Sequence, residues 1–443
     1  MKTRWKILVV LGALVAAGYV GYQLVAMDAS PPQDADLAPT WEDVPPGENA
    51  FECFLEAANL LHWPEEDEES PPGQGGGPSA DAADAATAGD GAPAGTPMAP
   101  ILAGDAWDEP RVREVLAANE AALKAWEAGL ARKGFQVPPP ATIEDFAAVY
   151  DLRWVNLAKV ALLRAHLLAH EDRTEEAMTE AMKVVRFGHL IEGAKGSMST
   201  YAAGATVKDC GLTVLTYVAC NGVPEATVLK ECGRQLAGYG ADTQGLAETF
   251  RVEYACGSEF LKGFRPDEVL RGLPTLADPS NFDAYSLGRE VKLACDDIRE
   301  NQLSLPTRYY YQPNRSRAIL GKAFRAWIAA VPMRYVDIER RVPVPEGAKR
   351  RLIWPNCAGI ALCRFLAPSD IARRTLRLKC GENDAVARAR TILALRRYVI
   401  ERDAAPESWE ALVPEYLEAL PVSDVDGRPL RLPTLGHSPE TGG

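Results

Sequence analysis

The sequence predicts an all-α protein, and three observations favour that fold class. Apolar residues recur every three or four positions along most of the chain, Pro and Gly stand between the periodic segments, and strand-like alternation is confined to the last twenty residues. The chain has 443 residues, of which 47% are hydrophobic and 25% are charged, as in an ordinary folded protein. This length fits two or three folded units.

An uncharged apolar segment, Ile7 to Val25, lies near the start of the sequence. As a helix it spans about 28 Å, close to the roughly 30 Å hydrocarbon core of a bilayer. Because basic flanks stay in the cytoplasm, Lys2, Arg4 and Lys6 predict a single-pass anchor in residues 1–27 with an extracytoplasmic body. The alternative is a cleaved signal peptide, whose apolar region is shorter and ends at an A-x-A-like site. No such site follows, so the anchor is favoured.

The acidic charge of the protein is concentrated in one segment. The net charge is −13, and residues 28–109 carry 19 acidic residues without Lys or Arg, whereas residues 110–443 are nearly neutral. Apolar spacing predicts a short helix near residues 48–63. Residues 64–99 are acidic and then rich in Gly, Ala and Pro, a composition that cannot bury enough apolar surface to fold. We therefore expect residues 28–107 to be a largely disordered acidic linker.

Residues 108–310 are expected to form a helical domain. Asp108 followed by Pro110 is a helix start signal, and the apolar stripe of that helix runs to Leu130. Thr174 begins a later helix. Short loops favour antiparallel helical hairpins. The helix pair in residues 143–192 resembles a tetratricopeptide hairpin, although no strict repeat period recurs.

Residues 311–443 are expected to form a basic helical region that ends in a small hairpin. The window 308–402 contains 21 basic residues against 7 acidic ones. Such a window could dock on anionic lipid headgroups, or it could bind the acidic segment 28–109 of the same chain or of a neighbour. The favoured interpretation is that it comprises the solvated faces of several helices, the usual explanation of a charge run.

His166 and His170 are the candidate metal ligands. They lie four residues apart on one face of a predicted helix, so that both imidazoles could reach one ion. The known zinc motif has Glu after its first His, and Leu167 occupies that position here. A third ligand could come from His189 on the next helix. Two ordinary packing or surface histidines remain the favoured interpretation.

The nine cysteines form no C-x-x-C motif, so the sequence gives no support for a thioredoxin-like or paired zinc-knuckle site. Cys220 and Cys232 could face each other across the turn at Gly222–Pro224 and form a disulfide, which export would permit. The favoured interpretation is that the cysteines act as small buried apolar residues.

The segment 394–432 resembles the C-terminal end of a group of uncharacterised, exported, membrane-anchored bacterial helical proteins. The matching positions are Ala394, Leu395, Arg396, Tyr398, Pro406, Ser408, Leu412, Val413, Pro414, Tyr416, Leu417, Leu420, Pro421, Asp426, Gly427, Pro429 and Leu430. Upstream, Pro313-Asn314-Arg315 and Asn356-x-x-Gly359 are further landmarks of that group. The resemblance implies an anchored helical protein and no known activity. Locally, Asp426-Gly427 predicts the turn of the closing hairpin.

The same segment is similar, more distantly, to the soluble part of type II secretion pseudopilins, which share its Tyr, Pro, Leu and Pro-Asp-Gly rhythm. A pseudopilin has a processed leader and an early Glu in its apolar helix, whereas Ile7 to Val25 contains no Glu. Assembly into a pilus is therefore disfavoured.

No catalytic or cofactor-binding signature stands out in the sequence. We therefore expect a non-enzymatic interaction or scaffold protein of the cell envelope, without a cofactor. Its expected partners are the membrane, through Ile7 to Val25, and another envelope protein. Nucleic acid is not expected, because the basic residues form no single concentrated face. An envelope enzyme with a dispersed, metal-dependent site at His166 and His170 is the first alternative, and a secretion-apparatus component is the second.

Overall fold

The computed structural model of the protein describes residues 20–21, 27–42, 44–45, 47–62, 107–139, 150–263, 309, 311–341, 356–367 and 369–430. Within these ranges the secondary structure is helical, with two isolated β-bridges and no strand. The predicted all-α class is confirmed for this part of the chain. The predicted membrane segment Ile7 to Val25 lies outside the described residues except for Val20 and Gly21, and the segment 64–99 lies wholly outside them.

The described α-helices are α1 (Phe51–Asn59), α2 (Glu109–Ala118), α3 (Glu120–Leu130), α4 (Tyr150–His170), α5 (Thr174–Glu192), α6 (Met198–Asn221), α7 (Ala226–Leu236), α8 (Thr243–Gly263), α9 (Pro313–Ala330), α10 (Tyr335–Arg341), α11 (Cys357–Leu366) and α12 (Ser369–Arg402). Short 3-10 turns occur at Ala35–Leu37 and Trp409–Leu412. None of these described helices combines the length and the apolar character that crossing a bilayer requires.

The chain divides into two compact units, each assembled from three stretches of sequence. Unit 1 comprises Met1–Ala38, Glu253–Trp327 and Pro343–Ala372, and unit 2 comprises Pro39–Val252, Ile328–Val342 and Arg373–Gly443. The helices α8, α9 and α12 therefore contribute residues to both units.

Large aromatic side chains fill the core of unit 2. Phe54, Trp126, Trp154 and Phe187 are fully buried, and the ring centroids of Phe54 and Phe187 lie 4.6 Å apart. The indole of Trp154 donates a hydrogen bond to the carbonyl oxygen of Phe54 at 3.2 Å, so the buried polar group is satisfied. Gly129 on α3 lacks a Cβ that would overlap the Phe54 ring, and α1 therefore packs directly on α3. The short helix predicted around Phe54 is confirmed.

Residues 109–130 form two helices, whereas their apolar pattern predicted one. Asp108 caps α2 as predicted, because its carboxylate accepts from the backbone N–H of Arg111 at 3.1 Å. The helix then breaks at Asn119, whose side chain pairs with the backbone of His62. Asn119 Oδ1 accepts from the His62 N–H at 2.8 Å, and Asn119 Nδ2 donates to the His62 carbonyl at 2.9 Å. The break thus depends on a residue that is distant in sequence.

Two glycines bring α5 and α6 into backbone contact. A Cβ added at Gly204 would lie 2.8 Å from the carbonyl oxygen of Gly188 and 2.8 Å from the backbone nitrogen of Glu192. A Cβ added at Gly188 would lie 2.6 Å from the carbonyl oxygen of Gly204. Real Cβ atoms do not approach other atoms so closely, so any larger residue must separate the helices. This crossing positions the site described below.

Unit 1 contains the first described part of the acidic segment. Residues 28–37, here called the strap, lie along α9 with Leu37 buried. Asp34 accepts from the guanidinium of Arg317 at 2.7 Å and from the hydroxyl of Tyr254 at 2.6 Å. The sequence placed the strap in a largely disordered linker. The structure differs because these acidic side chains have specific partners on neighbouring helices.

The Asn356-x-x-Gly359 landmark joins α11 to the start of α9. Asn356 adopts a left-handed conformation with φ of 62°. Its Oδ1 atom accepts from the backbone N–H of Gln312 at 2.8 Å and from the hydroxyl of Ser316 at 3.1 Å. A Cβ at Gly359 would overlap Ser316 Oγ and Asn356 Oδ1, so only glycine fits there. The landmark therefore has a packing role in unit 1.

The closing hairpin that the sequence predicted around Gly427 is present. Val422 and Pro429 form an isolated antiparallel bridge, and the N–H of Ser423 donates to the carbonyl of Arg428 at 2.8 Å. Gly427 has φ of 72°, in the left-handed region that glycine adopts without strain. The Asp-Gly signal thus identified the turn correctly.

We expect Gly204→Ala to destabilise unit 2, because the added methyl group forces α5 and α6 apart. The free energy of unfolding should fall by about 1–3 kcal/mol in urea denaturation. Gly233→Ala in α7 is the matched control, since no atom lies within 4 Å of the added Cβ. It should stabilise the protein by up to about 1 kcal/mol through helix propensity. Equal effects of the two substitutions would contradict the close crossing.

Candidate functional site

The side chain of Lys208 is completely buried in unit 2 and lies between two glutamates. Its Nζ atom donates to Glu192 Oε2 at 2.6 Å and also to Glu382 Oε1. The side chains of Lys208 and Glu192 are 0% exposed, and that of Glu382 is 3% exposed. An unpaired ammonium at such a position would cost several kcal/mol, so the carboxyl groups are its required counter-charges.

Four parts of the chain converge on this cluster. Glu192 is the last residue of α5, Lys208 lies in the middle of α6, and Glu382 lies on α12. The loop between α7 and α8 supplies backbone groups: the Gly240 carbonyl accepts from Lys208 Nζ at 3.3 Å, and the Asp242 N–H donates to Glu192 Oε2 at 3.4 Å. Because α5 and α6 cross closely at the two glycines, the side chains of Glu192 and Lys208 are near enough to form an ion pair.

His189 and Tyr201 complete the polar surroundings of the cluster. His189 Nδ1 lies 3.4 Å from Lys208 Nζ. Burial, and then the charge of Lys208, lower the pKa of His189, so its neutral ring accepts from the ammonium. The hydroxyl of Tyr201 donates to Glu382 Oε2 at 3.3 Å. Burial raises the pKa of Tyr201 well above its ordinary value, so the phenol stays protonated and remains a donor.

Both carboxyl groups of the cluster hold protons more tightly than exposed glutamates do. Burial raises the pKa of Glu192, and it raises the pKa of Glu382 well above its ordinary value. The charge of Glu192 raises the pKa of Glu382 further, whereas the ammonium of Lys208 opposes the shift at both carboxyl groups. Two carboxyl groups of this kind beside one cation are suited to sharing a proton.

The cluster contains residue types that serve as general acids and bases in enzymes, namely Lys208, Glu192, Glu382 and Tyr201. Their side chains are sealed from solvent, however, and a substrate cannot reach them in this conformation. The network therefore acts as an internal polar connection between helices. It is the strongest concentration of titratable groups that we find among the described residues.

The two histidines that the sequence proposed as metal ligands have different surroundings. His166 is 5% exposed, its ring centroid lies 5.7 Å from that of Tyr217, and burial followed by the nearby His170 lowers its pKa to about 4. His170 stacks on Trp107 with ring centroids 4.0 Å apart. The described residues contain no group of three or more His, Cys, Asp or Glu side chains arranged to hold a metal ion. His189, the suggested third ligand, lies in the Lys208 cluster.

The cysteines described by the structure are free thiols. Cys220 is exposed and Cys232 is buried, and no disulfide joins them. Burial raises the pKa of Cys210 and of Cys232 to about 11, and it raises the pKa of Cys363 to about 12. Thiols with raised pKa values are poor nucleophiles because the thiolate is scarce. The favoured interpretation of small buried apolar residues holds for Cys232, Cys363 and Cys380, whereas the other described cysteines are partly or fully exposed.

A groove of about 490 Å³ opens on the surface of unit 2. Leucines from α2 and α4 provide its apolar surface, and charged side chains from α2, α4, α5 and the turn before α5 provide the rest. It is lined by Arg113, Leu116, Arg164, Leu167, Leu168, Glu171, Arg173, Glu176, Thr179 and Glu180. Three arginines and three glutamates make the lining charge-balanced.

Ion pairs connect the charged side chains of the groove. Glu171 accepts from Arg113 at 2.6 Å and from Arg173 at 3.0 Å, and Arg173 also contacts Glu176 at 2.7 Å. Hydrogen bonds from these arginines lower the pKa of Glu171 and of Glu176, so both carboxylates are charged at neutral pH. Such exposed pairs contribute little to folding stability. Their charges are therefore available for recognition.

Sequence reasoning selected His166 and His170 and missed the Lys208 cluster. One signal was present: Lys208 and Asp209 are the only charged residues of α6. A charge in such an apolar helix indicates a buried partner. The sequence does not indicate which carboxylates pair with Lys208, since Glu382 lies 174 residues from it.

Comparisons with known proteins identify no relative. No family model, no curated protein and no solved structure matches the chain. The resemblance of residues 394–432 to exported helical proteins therefore stays a prediction.

We expect Lys208→Met to lower the free energy of unfolding by about 3–5 kcal/mol, because it leaves two carboxyl groups buried without a counter-charge. Urea denaturation at pH 7 would measure the loss. The triple variant Lys208→Met, Glu192→Gln, Glu382→Gln should recover part of it. Lys262→Met, which removes an exposed pair with Glu259, should cost less than about 1 kcal/mol. A Lys208→Met variant as stable as the wild type would contradict the role of the cluster.

His166 should make the protein less stable in acid. Its pKa in the folded state is about 4, below the ordinary value of 6.5, so the unfolded state binds its proton more tightly. The stabilisation is complete above pH 6.5 and is lost as the pH falls toward 4, by up to about 3 kcal/mol. His166→Leu should remove this part of the pH dependence, measured as the free energy of unfolding from pH 7 to pH 4. Parallel curves for the two proteins would refute the assignment.

Proposed function

We propose that the protein is a membrane-anchored interaction protein of the cell envelope whose groove in unit 2 binds a segment of a partner protein. In this proposal Ile7 to Val25 crosses the membrane once, with the N-terminus in the cytoplasm and the helical body outside it. The uncharged length of that segment and the basic residues before it support the location. The protein acts by binding and carries no cofactor.

The groove is the observation on which the proposal depends. Its Leu116, Leu167 and Leu168 side chains offer apolar contact, while its three arginines and three glutamates supply charges of both signs. A surface with both signs of charge fits a protein segment that carries both signs itself, because each ion pair can exchange its partner for one on the ligand. The groove is open to solvent, in contrast to the sealed Lys208 cluster.

Other ligand classes fit the groove less well. Nucleic acid requires an excess of positive charge, and this lining has as many glutamates as arginines. Pockets for small organic ligands are mainly apolar with a few polar groups. Here six of the ten lining residues are charged. A partner protein is therefore the favoured ligand.

The helical framework supports the same proposal. We interpret α4 and α5 as a tetratricopeptide-like hairpin, since a three-residue turn joins them and both contribute to the groove. Helical hairpins present grooves formed by side chains on rigid elements, which suits recognition of an extended segment or a helix.

Charge reversal in the groove tests the proposal. A photo-cross-linking amino acid at Thr179, an exposed groove residue, should form one defined protein adduct in intact membranes. Arg173→Glu should reduce the adduct about tenfold, because it repels Glu176 and the acidic groups of the partner segment.

Arg234→Glu is the matched control for this experiment. Arg234 forms an exposed pair with Glu231, three residues apart in sequence like Arg173 and Glu176, but it lies outside the groove. The control should leave the adduct unchanged. If Thr179 forms no protein adduct, or if both reversals reduce the adduct equally, the groove is not the binding site.

A further inference from the structure

The start of α9 is held close to the end of the apolar segment. Asp28 follows Val25 by three residues, a stretch of chain that spans at most about 11 Å. The carboxylate of Asp28 accepts from the backbone N–H groups of Asn314 and Arg315 at 2.9 and 3.1 Å. These are otherwise unsatisfied donors of the first helical turn. If Val25 lies at the membrane surface, the first turn of α9 lies there too.

The strap continues along α9 from this point. The side chain of Asn314 donates to the Ala29 carbonyl at 2.9 Å, and Asp36 accepts two hydrogen bonds from Arg325 at 2.7 Å each. Together with the pair of Asp34 and Arg317, these contacts hold one side of the helix over about three turns. The acidic groups of the strap are thus neutralised by α9.

A different side of α9 is exposed at Ile319, Lys322 and Ala326 and partly exposed at Arg315. We call the residues on this side the α9 stripe: Arg315, Ile319, Lys322 and Ala326. They fall within an arc of about 60° around the helix axis, and Arg317, which contacts the strap, lies roughly opposite. Ile319 is 43% exposed. The side chains of Arg315 and Lys322 form no ion pair with any described residue. Two cations thus flank an exposed isoleucine.

We propose that the α9 stripe lies on the membrane surface and that Arg315 and Lys322 contact anionic phospholipid headgroups. The inference rests on the proposed anchoring by Ile7 to Val25. The headgroup layer is several Å thick on each side of the hydrocarbon core. Because Asp28 lies within about 11 Å of Val25, the first turn of α9, which Asp28 caps, starts in or beside this layer.

The chemistry of the α9 stripe fits this location. Basic side chains next to a membrane are attracted to anionic lipids, each by about fivefold in the binding equilibrium. Ile319 can rest against the upper acyl region, as apolar residues of interfacial helices do. The aliphatic stems of Arg315 and Lys322 cover apolar surface while their charges stay among the phosphates.

Photo-cross-linking of the full chain in vesicles tests the inference. The cross-linker p-benzoylphenylalanine replaces Ile319, Ala326 or, on the strap side as a control, Arg325. Vesicles contain phosphatidylcholine with phosphatidylglycerol, or phosphatidylcholine alone. Ile319 and Ala326 should form lipid adducts that increase several-fold with phosphatidylglycerol, and Arg325 should form few. Equal lipid adducts at Arg325, adducts with protein only, or no dependence on phosphatidylglycerol would overturn the inference.

A charge variant tests the headgroup contact separately. Arg315→Gln with Lys322→Gln should lower the lipid adduct at Ile319 by about fivefold for each residue. Lys230→Gln with Arg234→Gln removes two exposed cations of α7 and should leave the adduct unchanged. An undiminished adduct in the α9 variant would overturn the role of the two cations.

Extraction with alkaline carbonate distinguishes failure of the proposed anchor from failure of the proposed location of the α9 stripe. Release of the wild-type chain from the vesicles would refute the proposed anchor. Retention of the chain without lipid adducts at Ile319 and Ala326 would refute only the location of the α9 stripe.

Discussion

The ammonium group of Lys208 is held without solvent between Glu192 and Glu382, and the arrangement of α5, α6 and α12 depends on that contact. A buried ion pair adds little net stability over an apolar core, but removing one partner is costly. The pair therefore selects one packing of the three helices over alternatives that would leave a charge unpaired. Glycines at the crossing of α5 and α6 make that packing sterically feasible.

The helix α5 contributes residues to both the Lys208 cluster and the groove. Glu176 and Thr179 line the groove from the first half of α5, and Glu192 holds the last turn of the helix in the core. Arg113, Arg173 and Glu176 in the groove are about half exposed, and such exposed ion pairs are weak, whereas the charges of the Lys208 cluster are buried. One helix thus has its last turn fixed in the core and its first half at the surface, which suits the proposed binding function.

In unit 1, ion pairs join an acidic segment to a basic helix. The acidic strap supplies the counter-charges for part of a basic helix, with Asp34 on Arg317 and Asp36 on Arg325. Of the three explanations that the sequence allowed for the basic window, intramolecular pairing with the acidic segment is therefore observed at these two positions. The cations that the strap does not neutralise lie on another face of α9, where they remain available to an external anion.

The sequence by itself determined the all-α class, the start of helices at Asp108 and Thr174, and the turn at Gly427, because capping, periodicity and left-handed backbone are local properties. Only the tertiary structure decided that Asn119 ends a helix, that Lys208 meets Glu382, and that Asp28 caps α9. These partners are separated by 57, 174 and 286 residues, and the side chains involved show no local pattern that predicts such pairings. The histidine spacing illustrates the same limit: a shared helix face placed His166 and His170 near each other, but packing gave each ring its own neighbours, Tyr217 and Trp107.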